Sequence, residues 1–294
     1  MTHLETFNRH RALLSSIAYR MLGSWADAED AVQETFVRWQ GAAGETIASS
    51  RAFLVTIVSR LCINQLQSAR ARREEYAGQW LPEPILTGPA EGLDAAFRVD
   101  ESLSTAFLVL LERLSPAERA VFLLREVFDH EYDEIATIIG QSATTCRQIL
   151  RRARTHVTAG RPRFAASLQE RRVLAQEFLD ASRSGDLRSL LRLLAADVAF
   201  YADGGGKAPA IPNPVHGAER VARLVITAQQ KFVPERVESR VLPINGVPGV
   251  VTYADGRPFS AVSFDFVRDR IAAIYLVTNP DKLDHLSVLA VPLA

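Results

Sequence analysis

The chain has 294 residues, 34 basic against 34 acidic side chains, and a composition that is 48% hydrophobic and 23% charged. This excludes a disordered or fibrous chain, and the length calls for two or three domains rather than one core. No run reaches the ~18 apolar residues of a membrane span, and the charged N-terminus does not read as a signal peptide, so a cytoplasmic protein is expected. The two cysteines, Cys62 and Cys146, make neither a disulfide framework nor a complete zinc site.

Apolar residues recur at helical spacing from Phe7 to Trp39 (Leu13, Leu14, Ile17, Met21, then Val32, Phe36 and Val37), with a break at Gly23-Ser24. The acids that follow the break suit a helix start, where carboxylates meet free N–H groups. After Gly41 and Gly44 a third helix is predicted from about Ser50 to Tyr76, with Phe53, Leu54, Ile57, Val58, Leu61 and Leu66 on its apolar side. A linker follows, punctuated by Pro82, Pro84, Gly88, Pro89 and Gly92. It contains Trp80-Leu81-Pro82-Glu83-Pro84, and a tryptophan there is costly to leave wet, so this stretch is expected to dock on a folded surface.

Helical periodicity returns from Ser102 to Thr158, and Ser115-Pro116-Ala117-Glu118 is a compact helix-start signal. Residues Tyr132 to Leu150 fit a helix-turn-helix: Ile135, Ile139, Cys146 and Ile149 fill the apolar slots, Ala136 sits at the close approach, and Gly140 at the turn. Beyond Gly160-Arg161-Pro162 two helices are predicted, near Glu170–Ser182 and Leu187–Leu194. A strand at Val198–Ala202 and a β-rich last third with a hairpin turn at Asp255-Gly256 then complete an α+β domain.

The zero net charge would argue against a polyanion partner if it were evenly spread. It is not. Between Thr46 and Arg73 the charged residues are Arg51, Arg60, Arg70, Arg72 and Arg73, without an acid; between Ile135 and Gln169 the acids vanish again. Solvated helix faces explain any single run, but two runs that each close a helical segment point towards a polyanion partner.

Taken together these segments resemble an extracytoplasmic-function RNA polymerase sigma factor. Residues 7–76 look like sigma region two, 103–160 like region four, and 167–294 like a SnoaL-like domain, the cone-shaped α+β fold of polyketide cyclases and steroid isomerases. The combination is similar to sigma factors of the SigJ type, on three stretches: Trp80-Leu81-Pro82-Glu83-Pro84, Asp203-Gly204-Gly205-Gly206-Lys207 and Asn279-Pro280-Asp281-Lys282-Leu283. The resemblance implies a multidomain chain of two all-α sigma domains and an α+β SnoaL-like cone with a curved antiparallel sheet. Its parts would be 1–77, a linker 78–102, 103–160 and 161–294.

The resemblance further implies an alternative sigma factor that directs transcription initiation, with core RNA polymerase (β′ clamp and β flap) and promoter DNA as partners. The helix bearing Asp27, Glu29, Asp30, Gln33 and Glu34 would dock on the polymerase. Arg60, Asn64, Gln65, Ser68, Arg70, Arg72 and Arg73 would face the minus-ten element. Ser142, Thr144, Thr145, Arg147, Gln148, Arg151 and Arg152 would form the minus-thirty-five recognition helix. Of these, Thr144, Arg147 and Gln148 are assigned to bases and the last two arginines to phosphates.

In the third domain, Gly204–Lys207 is not a phosphate loop, since Tyr201 replaces the leading glycine and Ala208 the magnesium-binding Ser or Thr. The glycines serve either as a plain turn or for close backbone approach to another surface. Asp203, His216, Tyr253 and Asp265 are the acid–base candidates a cyclase would use. No catalysis, cofactor or metal is expected, while the pocket could take a small-molecule ligand. The favoured role is cis regulation, with the three quoted stretches as interdomain contacts. The alternative is a helix-turn-helix regulator whose C-terminal domain binds a small ligand or retains cyclase or isomerase activity.

Overall fold

Thr2 opens the first helix, α1 (His3–Leu22), with a capping box to Glu5, and Gly23, at φ 68°, closes it in the left-handed conformation. Ser24 then caps α2 (Trp25–Gly41), and α3 (Ser50–Glu74) follows after a loop. These helices pack on one another through Leu14, Ile17, Tyr19, Leu54 and Val58, all essentially inaccessible. The computed structural model describes residues 2–42, 46–74, 76, 78–87, 100–158 and 167–288, with only the backbone for 69–74, 287 and 288.

The chain divides into two compact units. The first comprises Met1–Glu74, Leu93–Ser102 and Phe107–Arg161; the second comprises Glu75–Gly92, Leu103–Ala106 and Pro162–Ala294. Besides α1–α3, the first unit contains most of α4 (Thr105–Leu111), α5 (Pro116–Glu126), α6 (Tyr132–Ile139) and α7 (Ala143–Thr158). Ser115 and Glu118 form the reciprocal cap of α5, as the Ser-Pro-Ala-Glu pattern predicts. Gly140, at φ 71°, ends α6 so that α7 can turn across it. Of the helix-turn-helix slots, Ile135, Cys146 and Ile149 are buried, but Ile138, one turn on from Ile135, fills the fourth, and Ile139 is only half-buried.

Two fully buried arginines hold this unit together. Arg20 of α1 donates from Nε to Ser102 Oγ at 2.9 Å and pairs with Asp100 at 3.3 Å. Arg119 of α5 donates to the Leu111 carbonyl from both Nε and Nη2, to the Met21 carbonyl at 2.7 Å, and to Glu112 at 2.8 Å. Leu111 and Met21 lie at the C-terminal ends of α4 and α1, where carbonyls lack i+4 partners; the Leu111 carbonyl also accepts from the Leu114 N–H at 3.0 Å.

The second unit places α8 (Leu168–Ser184), α9 (Leu187–Leu193) and α10 (Ala218–Phe232) with a six-stranded sheet. Its strands are β1 (Leu194–Asp203), β2 (Val215–His216), β3 (Val237–Ile244), β4 (Val247–Ala254), β5 (Arg257–Val267) and β6 (Arg270–Val277), in the order β2-β1-β6-β5-β4-β3. All neighbours are antiparallel, as expected of this sheet, except β1 and β6, which run parallel. The long excursion through α10 and β3–β5 makes that parallel return geometrically available. Phe178, Phe200, Val221, Phe264 and Ile274 form the core between helices and sheet. α10 and β3 have no counterpart among the predicted elements, although α10 buries Val221, Ala222 and Val225 at helical spacing.

Candidate functional site

Three faces of the first unit carry the residues singled out in the sequence. On α2, Glu29, Asp30, Gln33 and Glu34 are exposed, while Asp27 is half-buried with its backbone N–H bonded to the Ser24 cap. Asp30, Gln33, Glu34 and Val37 fall on one stripe, and Val37, read as an inward position from its spacing, is instead 60% exposed.

On α3, Arg60, Asn64 and Ser68 recur every four residues on an exposed face, with Gln65 half-buried beside them. The side chains of Arg70, Arg72 and Arg73 lie outside the described residues. Arg60 has a second engagement: its Nε donates to the Ile138 carbonyl at 2.9 Å and its Nη2 to the Thr137 carbonyl at 2.8 Å. A guanidinium fork thereby closes the C-terminal end of α6, where helix carbonyls present negative charge.

On α7, Thr144, Arg147, Gln148, Arg151 and Arg152 are exposed, and Cys146, Ile149 and Ala153 form the buried side. Ser142 caps the helix instead of pointing freely outward: its Oγ accepts from the Thr145 N–H at 3.0 Å and contacts Thr145 Oγ1 at 2.9 Å. Ser142 and Thr145 thus set the helix start, and the outward stripe is Thr144, Arg147, Gln148 and Arg151.

The second unit brings the three quoted stretches together around one carboxylate. Asp203, at the end of β1, is fully buried and takes four donors. Its Oδ1 accepts from Tyr76 Oη at 2.6 Å and from the Gly205 N–H at 3.0 Å; its Oδ2 accepts from the Leu81 N–H at 2.9 Å and from Lys282 Nζ at 2.7 Å. Lys282 also donates to the Leu81 carbonyl, and its ammonium stands 4.1 Å from the Trp80 ring centroid and 5.3 Å from that of Tyr76. Asn279 Nδ2 donates to Tyr76 Oη at 2.9 Å, and Lys207 closes the outer edge with an ion pair to Asp281. Burial, then the bond to Asp203, push the Tyr76 phenol well above its ordinary range, which keeps it a donor. Gly205, at φ 62°, lies so close to Asn279 that a Cβ would fall 2.3 Å from its Nδ2. Here the glycine run serves close approach.

Downstream, residues 81–86 are buried in an unbroken row, and Leu81 is inserted more deeply than Trp80. Leu86 pairs antiparallel with Ile244 at the β3 edge; Asn245 N donates to the Ile85 carbonyl and Asn245 Oδ1 accepts from the Ile85 N–H. The linker is thus held at the β3 edge of the sheet through an isolated bridge and side-chain bonds, without forming a strand of its own. His285 completes the grip, with Nε2 2.6 Å from the Pro84 carbonyl and Nδ1 3.0 Å from Glu83. Tyr76, Asn245 and His285 escaped the sequence reading. Asn245-Gly246, the turn between β3 and β4, is a dipeptide that favours tight turns, but nothing local links it to residue 85.

The four acid–base candidates do not converge. His216 is exposed on β2 opposite Ala199, four residues (about 13 Å) along β1 from Asp203. Asp265 faces Ala273 across β5 and β6, three strand spacings (roughly 14 Å) from His216, and Tyr253 lies near the far end of β4 opposite Pro258. Burial raises the Asp265 carboxyl to about 6, against the opposing pull of Arg171. A raised carboxyl favours the protonated folded form, so folded stability falls as pH rises from about 4 to 6. Replacing Asp265 with asparagine is expected to stabilise the second unit by about 1–3 kcal/mol at pH 7.5 and by nothing near pH 4. Urea midpoints at the two pH values measure this, and an equal gain at both would contradict it.

Residues 6–72 match the Sigma-70 region 2 family and residues 104–157 match Sigma-70 region 4. The chain is 38% identical over 297 aligned residues to the ECF RNA polymerase sigma factor SigJ of Mycobacterium tuberculosis, covering 95% of this chain and 92% of that one. It belongs to the ECF RNA polymerase sigma factors. A second relative of this sigma factor, the probable ECF sigma factor SigI of the same species, is 33% identical over 284 residues and covers 94% of this chain and 93% of its own. The crystal structure of M. tuberculosis SigJ matches with a TM-score of 0.79 at 33% identity, spanning 96% of this sigma factor and 98% of SigJ. The likeness therefore includes the α+β unit as well as the helical one. As an alternative sigma factor the protein directs transcription initiation, and the region 2 match decides against a plain helix-turn-helix regulator. Among the described residues no helix is long and apolar enough to cross a membrane.

Proposed function

We propose that this sigma factor reads its promoter with two exposed faces and is controlled in cis by its C-terminal unit through the linker. The α2 stripe of Glu29, Asp30, Gln33 and Glu34, extended by Val37, docks on core RNA polymerase in the cytoplasm. Arg60, Asn64, Gln65 and Ser68, with Arg70, Arg72 and Arg73 further along α3, face the minus-ten element. Thr144, Arg147 and Gln148 meet base edges at minus thirty-five, and Arg151 and Arg152 hold phosphates. Replacing Arg151 with alanine should weaken binding to all sequences alike and lower the salt slope by about one unit. A changed sequence preference in a titration against promoter variants would reverse that assignment.

The observation that carries the regulatory reading is the Asp203 carboxylate, filled by Tyr76 just before the linker, by Leu81 within it and by Lys282. Holding Tyr76 and residues 78–87 removes freedom from the tether between regions two and four, whose reach is about 3.3–3.6 Å per extended residue. A hundredfold shift between held and released populations needs only ~2.7 kcal/mol, within reach of such a contact. The C-terminal unit is accordingly read as a binding rather than a catalytic domain, with Asp203 committed to the linker. Run-off transcription with core polymerase from the gene's own upstream region tests this. Removing residues 167–294 should raise promoter-dependent transcript, and unchanged or lost activity would argue against a brake.

A further inference from the structure

Tyr132 is the first residue of α6, and two guanidinium groups stand over its ring: Arg125 at 5.1 Å and Arg147 at 4.8 Å from the centroid. The two arginines differ in every other respect. Arg125, in the last turn of α5, donates to the His130 carbonyl at 2.8 Å and to Glu131 at 3.1 Å, with Asp129 at 4.0 Å. These bonds span the turn between α5 and α6, where Asp129 takes φ 56°, and so fix the ring's position from the α5 side. Arg147 is exposed on the outward stripe of α7, and among the described residues its guanidinium makes no ion pair or hydrogen bond. The aromatic face is what it rests on.

We propose that Tyr132 is a positioning residue for minus-thirty-five recognition, holding the Arg147 guanidinium in one direction before DNA arrives. A long arginine side chain projecting alone from a helix samples many rotamers, and ordering it on DNA lowers affinity for the correct base. A cation–π contact restricts the sampling without consuming the five N–H donors, which remain free for the paired acceptors of a guanine edge. Arg125, already neutralised by Glu131, anchors the ring without competing for DNA. The inference rests on Arg147 as a base contact, and it adds a residue outside the recognition helix to the determinants of specificity.

The size of the effect follows from an exposed cation–π contact, about two- to fivefold in binding. With the full-length protein in holoenzyme and promoter duplexes carrying each single change at minus thirty-five, Tyr132→Leu should lose about two- to fivefold of the preference at the base pair that Arg147 reads. The salt slope should not move, because no charge is removed. Tyr132→Phe keeps the ring and should keep the preference; a loss equal to that of leucine would overturn the proposal in favour of a hydroxyl contact. Tyr132→Leu combined with Arg147→Ala should be no worse than Arg147→Ala alone, and additive losses would overturn it. A DNA-independent measurement separates the two layers: ¹⁵N relaxation of Arg147 Nε should show greater mobility in Tyr132→Leu. Unchanged relaxation would overturn the positioning even where Arg147→Ala alters preference. Arg147→Ala with every preference intact would remove the base contact and, with it, the specificity role.

Discussion

Replacing Asp203 with alanine is expected to release Tyr76 and residues 78–87 from the C-terminal unit and to destabilise that unit by about 3–5 kcal/mol. The side chain is fully buried, and its partner Lys282 is 10% exposed. Removing one member of a buried pair leaves the other charge desolvated, which is the costly case. Tyr76 Oη and the Leu81 N–H lose their acceptor at the same time. The double replacement Asp203→Leu with Lys282→Met removes both charges and should recover much of the stability, yet the two linker donors still lack a partner. Stability and linker hold then come apart: the urea midpoint returns towards that of the parent, while amide exchange at 79–87 stays fast and transcription stays raised. Protection of 79–87 in the single Asp203 variant would show that the carboxylate is not what holds the linker.

Arg119 carries the second large effect. Its side chain is 3% exposed and makes four hydrogen bonds, three of them to carbonyls at the ends of α1 and α4. Arg119→Met should lower the stability of the helical unit by about 3–5 kcal/mol, since Met21 and Leu111 carbonyls and the Glu112 carboxylate are left without the donor. With a slope of about 2 kcal/mol per molar urea this is a midpoint shift of roughly 2 M, followed by the fluorescence of Trp25 and Trp39. Lysine at 119 should recover less than half, because one ammonium cannot reproduce a planar fork that serves two helix ends. A midpoint shift below about 0.5 M for the methionine variant would show that the two carbonyls find other donors.

The helices of the first unit were legible because caps and periodicity agree there: Thr2, Ser24 and Ser115 each begin a helix whose apolar residues keep a 3.6 repeat. The three quoted stretches were legible as a set, and they do meet around Asp203. What could not be read was which groups they meet. Tyr76 is separated from Asp203 by 127 positions and Ile85 from Asn245 by 160, and no local pattern encodes a contact across such an interval. Arg60 shows the same limit. Its place in a basic helix announced a DNA contact, whereas the bonds to Thr137 and Ile138 depend on how α6 lies on α3.

In the reading proposed above, those bonds bear on initiation. Arg60 touches α6 at hydrogen-bond distance, whereas elements named for positions ten and thirty-five are about 25 base pairs apart, roughly 85 Å along straight duplex. No arrangement with Arg60 on α6 can span that interval. In the reading proposed above, the guanidinium that closes α6 is also the one that faces the minus-ten strand, and it has one set of donors for two claimants. On that reading, DNA arriving at α3 takes the fork away from α6, so the Arg60–α6 contact and minus-ten engagement exclude each other.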